Sequence, residues 1–222
     1  VRTVLLDLDG TLADSASQII EHLAKAMVGA GVPVPEKAVL DTLVGPPFET
    51  ALPALGVSIE ATREIIRAYR RSYDPVAART TPLFPGVPET LQRLRAGGLR
   101  LALATSKPEH LARRIVATTG IDVHLTEIGG ADDTVGRVGK AKVVADVLRR
   151  LEIDPATDPV IMVGDRSHDV DGAAANGVRT IGVGWGYAVP GELTGAVLVV
   201  PDLAALEETL LGDEIWERPA AA

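Results

Sequence analysis

Asp7 and Asp9 stand two residues apart, directly after the apolar run Val4-Leu5-Leu6. If that run is a strand, alternation points both carboxylates to one side of its carboxyl end. Two like charges held so close do not both ionise comfortably without a cation or a shared proton. Gly10 lets the backbone turn away sharply, and Thr11 completes Asp-Leu-Asp-Gly-Thr. D-x-D-G also occurs in solvated turns and calcium loops, but an apolar strand leading into it is unlike a surface turn. Thr105-Ser106-Lys107-Pro108 follows the apolar segment Leu99–Ala104, and Gly164-Asp165-Arg166-Ser167-His168-Asp169 follows Val160–Val163. Gly139-Lys140 opens a helical stretch. Together these offer carboxylates for a hard cation, hydroxyl and amide donors for a phosphate, and an ammonium. Magnesium prefers oxygen ligands, commonly one or two carboxylates with waters and a substrate phosphate. Asp7, Asp9, Asp165 and Asp169 are of that chemical class.

The elements that must position these residues are legible from periodicity. Residues 3–8 read as a buried strand, and Ser15 to about Gly31 as a helix with Ser15 and Gln18 at capping-box spacing. Helical stretches follow near 35–43, 47–56 and 58–73, broken at Pro33/Pro35, Pro46/Pro47 and Gly56, with no convincing strand between 14 and 82. After Pro85-Gly86 helices and strands alternate. Helices are expected at 87–97, 108–119, 139–152, 169–176 and 202–211; strands at 99–104, near 123–128, and at 160–163, 179–183 and 196–200. Short apolar strands between amphipathic helices argue for a parallel sheet covered on both faces. The expected fold is therefore α/β: a doubly wound parallel-sheet core, Rossmann-like, formed by 1–14 and 83–212, with an inserted α-helical cap at 15–82. A tail at 213–222 is expected to fray. In such sheets ligands bind beyond the carboxyl ends of the strands, at a topological switch point, which is where the polar clusters fall.

Composition sets wider limits. The 222 residues suffice for a sizeable core, and 46% hydrophobic with 23% charged residues is ordinary for a globular protein. A net charge of −8 argues against nucleic acid or an anionic membrane as partner, and leaves any anionic substrate to local cations. Without cysteine there is no disulfide, thiolate nucleophile or Cys-ligated zinc, which suits a cytoplasmic location. No apolar run reaches the ~18–20 residues of a membrane span. The first residues enter a strand carrying Asp7 and Asp9 and do not read as a signal peptide; the sequence starts at Val1 without an initiator Met, so a preceding segment stays open.

The four clusters, in this order, resemble the motifs of the haloacid dehalogenase-like hydrolase superfamily, in particular phosphoglycolate-phosphatase-like members with a helical cap in the C1 position. The resemblance covers essentially the whole chain and is far more specific for the superfamily than for a substrate. It implies that Asp7 is the nucleophile, forming an aspartyl-phosphate. Asp9 would protonate the leaving oxygen and then activate water. Magnesium would be held by Asp7, the backbone carbonyl of Asp9 and Asp165, with Asp169 completing or orienting the shell. Thr105, the amide of Ser106 and Lys140 would hold the phosphoryl oxygens, with Gly10 in the phosphate-binding loop. Positioning and electrostatics are most of what phosphoryl transfer demands.

Each residue also has a plainer reading. Ser106 with Glu109, and Asp169 alone, fit helix caps. Lys142 rivals Lys140. His168 adjoins a motif without a task in the chemistry, and His22, His110 and His124 form no ligand spacing. Trp185 reads as packing near the site mouth; Ala188 stands after Tyr187 where the family usually has Gly. Gly45-Pro46-Pro47-Phe48 is either a substrate-facing cap loop or a helix boundary. No specific role attaches to Arg70, Arg71 or Arg79.

The expected function is magnesium-dependent hydrolysis of a small phosphomonoester, phosphoglycolate first, with sugar phosphates, nucleotides and pyrophosphate behind it. A β-phosphoglucomutase-like phosphomutase is the alternative. A dehalogenase lacks the second acid, a phosphonoacetaldehyde hydrolase needs a cap Schiff-base lysine, and a signalling receiver domain has no cap. The expected partner is a phosphorylated metabolite, the expected assembly a monomer or homodimer.

Overall fold

A computed structural model of the chain describes residues 1–217. Its centre is one six-stranded parallel sheet in the order β3-β2-β1-β4-β5-β6. The strands are β1 (Thr3–Leu6), β2 (Arg100–Pro108), β3 (Glu127–Ala131), β4 (Val160–Gly164), β5 (Arg179–Val183) and β6 (Leu198–Val200). From β1 the chain winds outward through β2 and β3, then returns to lay β4, β5 and β6 on the other side. The switch point therefore lies beside β1. Leu6 is in register with Leu103 of β2 and with Val163 of β4, so Asp7, Thr105 and Asp165 emerge together at the carboxyl edge.

Strand alternation divides the core between the two faces. Leu5, Ala102, Ala104 and Met162 pack with Val143, Val144 and Val147 of α7 (Lys140–Arg150) and Ala173 of α8 (Ser167–Ala174). Val4, Leu6, Leu101, Leu103, Ile161 and Val163 join the opposite cluster. That cluster takes in α5 (Val87–Ala96), α6 (Glu109–Thr119) and α9 (Leu203–Leu211) and runs into the helices between β1 and β2. Those are α1 (Ala16–Gly29), α2 (Lys37–Thr42), α3 (Phe48–Ala54) and α4 (Ile59–Thr80). The two strands of chain joining them to the sheet lie side by side: Asp14 N donates to Pro82 O at 3.0 Å and Phe84 N to Leu12 O at 3.0 Å.

Several boundaries differ from expectation for identifiable reasons. Helix α4 runs through Pro75 to Thr80 instead of stopping near 73, because its buried face continues through Tyr69, Tyr73 and Ala77. That tertiary burial outweighs the hydrogen bond proline removes. Strand β3 begins four residues late, after a 3-10 turn at Asp122–His124, and includes Gly129 and Gly130. A side chain at Gly129 would place its Cβ 2.2 Å from Val147 Cγ2 of α7, and one at Gly130 would fall 2.6 Å from Glu109 Cα, so both glycines mark close packing and not a turn. Strand β2 continues to Pro108 past an irregularity after Ala104, and α8 starts at Ser167. Ser15 makes no capping bond, and Gln18 instead pairs with Thr80. The expected fraying does not hold for Asp213–Glu217: Asp213 pairs with Arg2 at 2.5 Å and Trp216 Nε1 donates to Leu210 O at 2.9 Å. Residues 218–222 of the expected tail lie outside the described residues. No helix among the described residues is long and apolar enough to cross a membrane.

Candidate active site

Asp7, directly after β1, and Asp165 and Asp169, from the loop after β4 and the first turn of α8, are all buried. One carboxylate oxygen from each lies within 4.8 Å of the others. Lys140, at the start of α7 and 5% exposed, reaches into this group. Its Nζ is 2.7 Å from Asp7 Oδ1, 2.6 Å from Asp169 Oδ1, and donates to Ala104 O at 3.0 Å. Lys142 is exposed and bonds Gly136 O, so of the two lysines Lys140 is the one that lies against the acids.

Each acid is fixed differently. Asp165 Oδ1 accepts from Thr11 Oγ1 at 3.3 Å and its Oδ2 from Tyr187 N at 2.7 Å. Asp169 Oδ2 accepts from Arg166 N at 3.0 Å, so Asp169 serves its helix start and faces Lys140 with the other oxygen. Gly10 (φ +85°) sits against Asp165: a Cβ there would fall 2.1 Å from Oδ2. Its N–H donates to Ala13 O at 2.8 Å. What Gly10 supplies here is a close approach of backbone to Asp165.

Electrostatics set the chemistry. Burial first, then the Asp169 and Asp9 charges, push the Asp7 carboxyl up to about 6 against the attraction of Lys140. Burial, with Asp169 and Asp7, holds Asp165 well above the usual carboxylate range. Burial would lower the Lys140 pKa, but Asp169 and Asp7 outweigh it and keep the ammonium charged. Asp7 Oδ1 and Asp169 Oδ1, though close to Nζ, receive no aligned hydrogen bond. Three buried carboxylates with two undersupplied oxygens fit a hard divalent cation such as magnesium.

Asp9 stands beside this cluster, with Oδ1 accepting from Ser15 Oγ at 2.6 Å and Oδ2 2.9 Å from Lys107 Nζ. Thr105 is buried, its Oγ1 accepting from Lys107 N at 3.3 Å. Ser106 is not a helix cap, since Pro108 holds that position before α6. Its supposed partner Glu109 instead accepts from Arg113, Arg137 and Arg150. Asp7, Asp9, Thr105 and Ser106 line one cavity of about 590 Å³, roofed by Phe48, Tyr69 and other residues from 43–74. Gly45–Phe48 borders it, and Pro47 caps α3.

Spacing did not reveal Lys107, Ser15, Tyr187 or Arg166. Lys107 lies inside the Thr105–Pro108 cluster, where its one sequence signal is a lysine near a strand end. Tyr187 OH accepts from Ala16 N at 3.0 Å while its own N–H holds Asp165, joining the start of α1 to the acid cluster. Arg166 bonds Glu192 at 2.7 Å and the carbonyls of Val44 and Thr42. Trp185 Nε1 donates to Thr11 O at 3.1 Å, a packing role close to the site. Arg70 borders the cavity and pairs with Glu49 and Asp133, each at 3.2 Å. His168 is exposed on α8.

The model of the haloacid dehalogenase-like hydrolases matches residues 4–183, which include all of these acids and Lys140. The chain belongs to the haloacid dehalogenase-like hydrolase family. It is 46% identical over 184 residues to the tyrosine-protein kinase PtkA of Mycobacterium tuberculosis, covering 83% of this chain but only 62% of that protein's length. It is 33% identical to a 5'-nucleotidase of Pseudomonas aeruginosa (93% of this chain, 94% of that one). It is also 33% identical to a plasmid-borne phosphoglycolate phosphatase of Cupriavidus necator (93% and 92%). Among solved structures, a predicted phosphatase from Clostridium acetobutylicum superposes with a TM-score of 0.88 at 29% identity, over 95% of this chain and 98% of that one.

Proposed function

We propose that this haloacid dehalogenase-like hydrolase is a magnesium-dependent phosphatase of small phosphomonoesters. The observation that carries the reading is the buried Asp7–Asp165–Asp169 group with Lys140 at its edge, opening on a cavity beside Asp9. Asp7, the backbone carbonyl of Asp9, and Asp165 would hold magnesium, with Asp169 orienting the group. Bound there, the ion would neutralise the carboxylates and the phosphoryl oxygens.

The residues then divide the work. An Asp7 oxygen attacks phosphorus; the bond from phosphorus to the leaving oxygen breaks, and Asp9 gives that oxygen its proton. Water next attacks the phosphorus of the aspartyl-phosphate and gives a proton to Asp9, releasing phosphate and restoring the Asp7 carboxylate. Thr105 Oγ1, the Ser106 amide and Lys140 bind the transferring oxygens. The helices between β1 and β2 cover the cavity and exclude water during the first step.

Phosphoglycolate is the first substrate to test, supported by the likeness to a phosphoglycolate phosphatase; nucleoside monophosphates come second, supported by the likeness to a 5'-nucleotidase. The kinase name of the mycobacterial relative belongs to a longer protein. A cytoplasmic setting suits an enzyme of phosphorylated metabolites without cysteine. The test is phosphate release from a panel of phosphometabolites with magnesium and then with excess chelator. Magnesium-dependent release, strongest on one small monoester, is expected. No release from any compound by the folded protein would overturn the reading.

A further inference from the structure

Lys107 is a buried cation that the chemistry above leaves without a task. Its side chain is 4% exposed, and an ammonium so far from water is costly unless paired. Its partners come from two different parts of the fold. One is Asp9 Oδ2 in the core, at 2.9 Å; the other is Tyr73 of α4, whose hydroxyl accepts from Nζ at 3.3 Å and whose ring centroid lies 5.0 Å away. Tyr73 is itself 1% exposed and fixed by its neighbours, stacked on Tyr69 at 5.1 Å and edge-on to His22 at 5.6 Å. The second oxygen of Asp9 is held by Ser15, which lies on the connection into α1. Both restraints on the Asp9 carboxylate therefore come from the helical insertion or from a residue that touches it.

We propose that Lys107 is a positioning residue through which the helical cap aims Asp9: Tyr73 places the ammonium, the ammonium places Oδ2, and Ser15 places Oδ1. The acid–base carboxylate is then correctly directed only while α4 is seated on the core. The placement rests on the proposed role of Asp9, and it ties proton transfer to cover of the cavity. Protonation of a leaving oxygen is thereby confined to the state in which bulk water is shut out.

The experiment compares two leaving groups by rapid quench in magnesium, following phosphoenzyme formation. Acetyl phosphate expels acetate, which needs no proton; the best alkyl phosphate from the panel expels an alkoxide, which does. For Lys107→Met, formation from the alkyl phosphate is expected to fall by roughly 10–100-fold, with that from acetyl phosphate within about threefold and KM little changed. Lys107→Arg, which keeps the ion pair, should recover part of the loss and guards against a folding defect in the first variant. Tyr73→Phe, keeping the ring and losing the hydroxyl, should slow the alkyl phosphate by about threefold or more alone, and add nothing in the Lys107→Met background. Equal losses on both substrates, or none, overturn the aiming role. A Tyr73→Phe effect that persists in full without Lys107 overturns the link to the cap. If the wild-type protein forms no phosphoenzyme even from acetyl phosphate, the phosphatase reading itself has failed.

Discussion

Replacing Asp7 by asparagine should abolish turnover and yet make the metal-free protein more stable. The residue is 7% exposed and its carboxyl is pushed from 3.8 up to about 6, chiefly by burial, with Asp169 and Asp9 adding repulsion. The attraction of Lys140 is already included in that balance. Because the folded state holds this proton more tightly than the unfolded chain, Asp7 supports the fold fully below pH 3.8 and loses that support as pH rises through about 6. At about 1.4 kcal/mol per pKa unit, moving from 3.8 to about 6 amounts to about 3 kcal/mol withdrawn once the group is ionised. Asp7→Asn cannot ionise, and Lys140 keeps Asp169 as its partner at 2.6 Å.

The assay is urea unfolding in excess chelator from pH 4.5 to 8. Asp7→Asn should exceed the wild type by up to about 3 kcal/mol at pH 7.5, or roughly 6–12 °C in Tm, shrinking to about 1 kcal/mol at pH 4.5. Magnesium should then raise the wild type more than the variant, since the variant lacks the charge the ion relieves. An asparagine variant no more stable than wild type at pH 7.5, or a gap that does not narrow on acidification, would refute the account of Asp7 as a strained, cation-seeking carboxylate.

Lys140→Met should behave in the opposite way, leaving Asp7 and Asp169 without their cation and costing about 3–5 kcal/mol in chelator as well as turnover; urea midpoints and phosphate release report both. Gly164→Ala would set a Cβ 2.3 Å from Asp169 Cγ and force that carboxyl aside. It should cost about 1–3 kcal/mol and weaken magnesium binding, read as a higher magnesium concentration for half-maximal stabilisation.

The candidate site was largely legible before any coordinates, because its main parts are local. A strand of four buried residues, three of them apolar, leading into Asp7, and a second leading through Gly164 into Asp165, declare themselves through strand composition and short spacing. Parallel strands in a doubly wound sheet must deliver such residues to one edge, so the arrival of Asp7, Asp165 and Asp169 at that edge follows from topology. Helical periodicity likewise announced the insertion between β1 and β2.

What escaped was settled between residues far apart in the chain. Ser15 and Ser106 each had a plausible local partner three residues on, yet one serves Asp9 and the other lines the cavity. Gly129-Gly130 and Pro75 look like breaks, yet close packing against Val147 and the Lys107–Glu109 backbone, and burial along α4, keep them inside a strand and a helix. Lys107 carries the same side chain as exposed Lys142, and only its burial between Asp9 and Tyr73 distinguishes the two. Sequence determines what a segment prefers and which edge of the sheet it reaches. Which buried charge meets which carboxylate is decided by tertiary packing, because a desolvated charge must be paired and only the assembled fold supplies its partner.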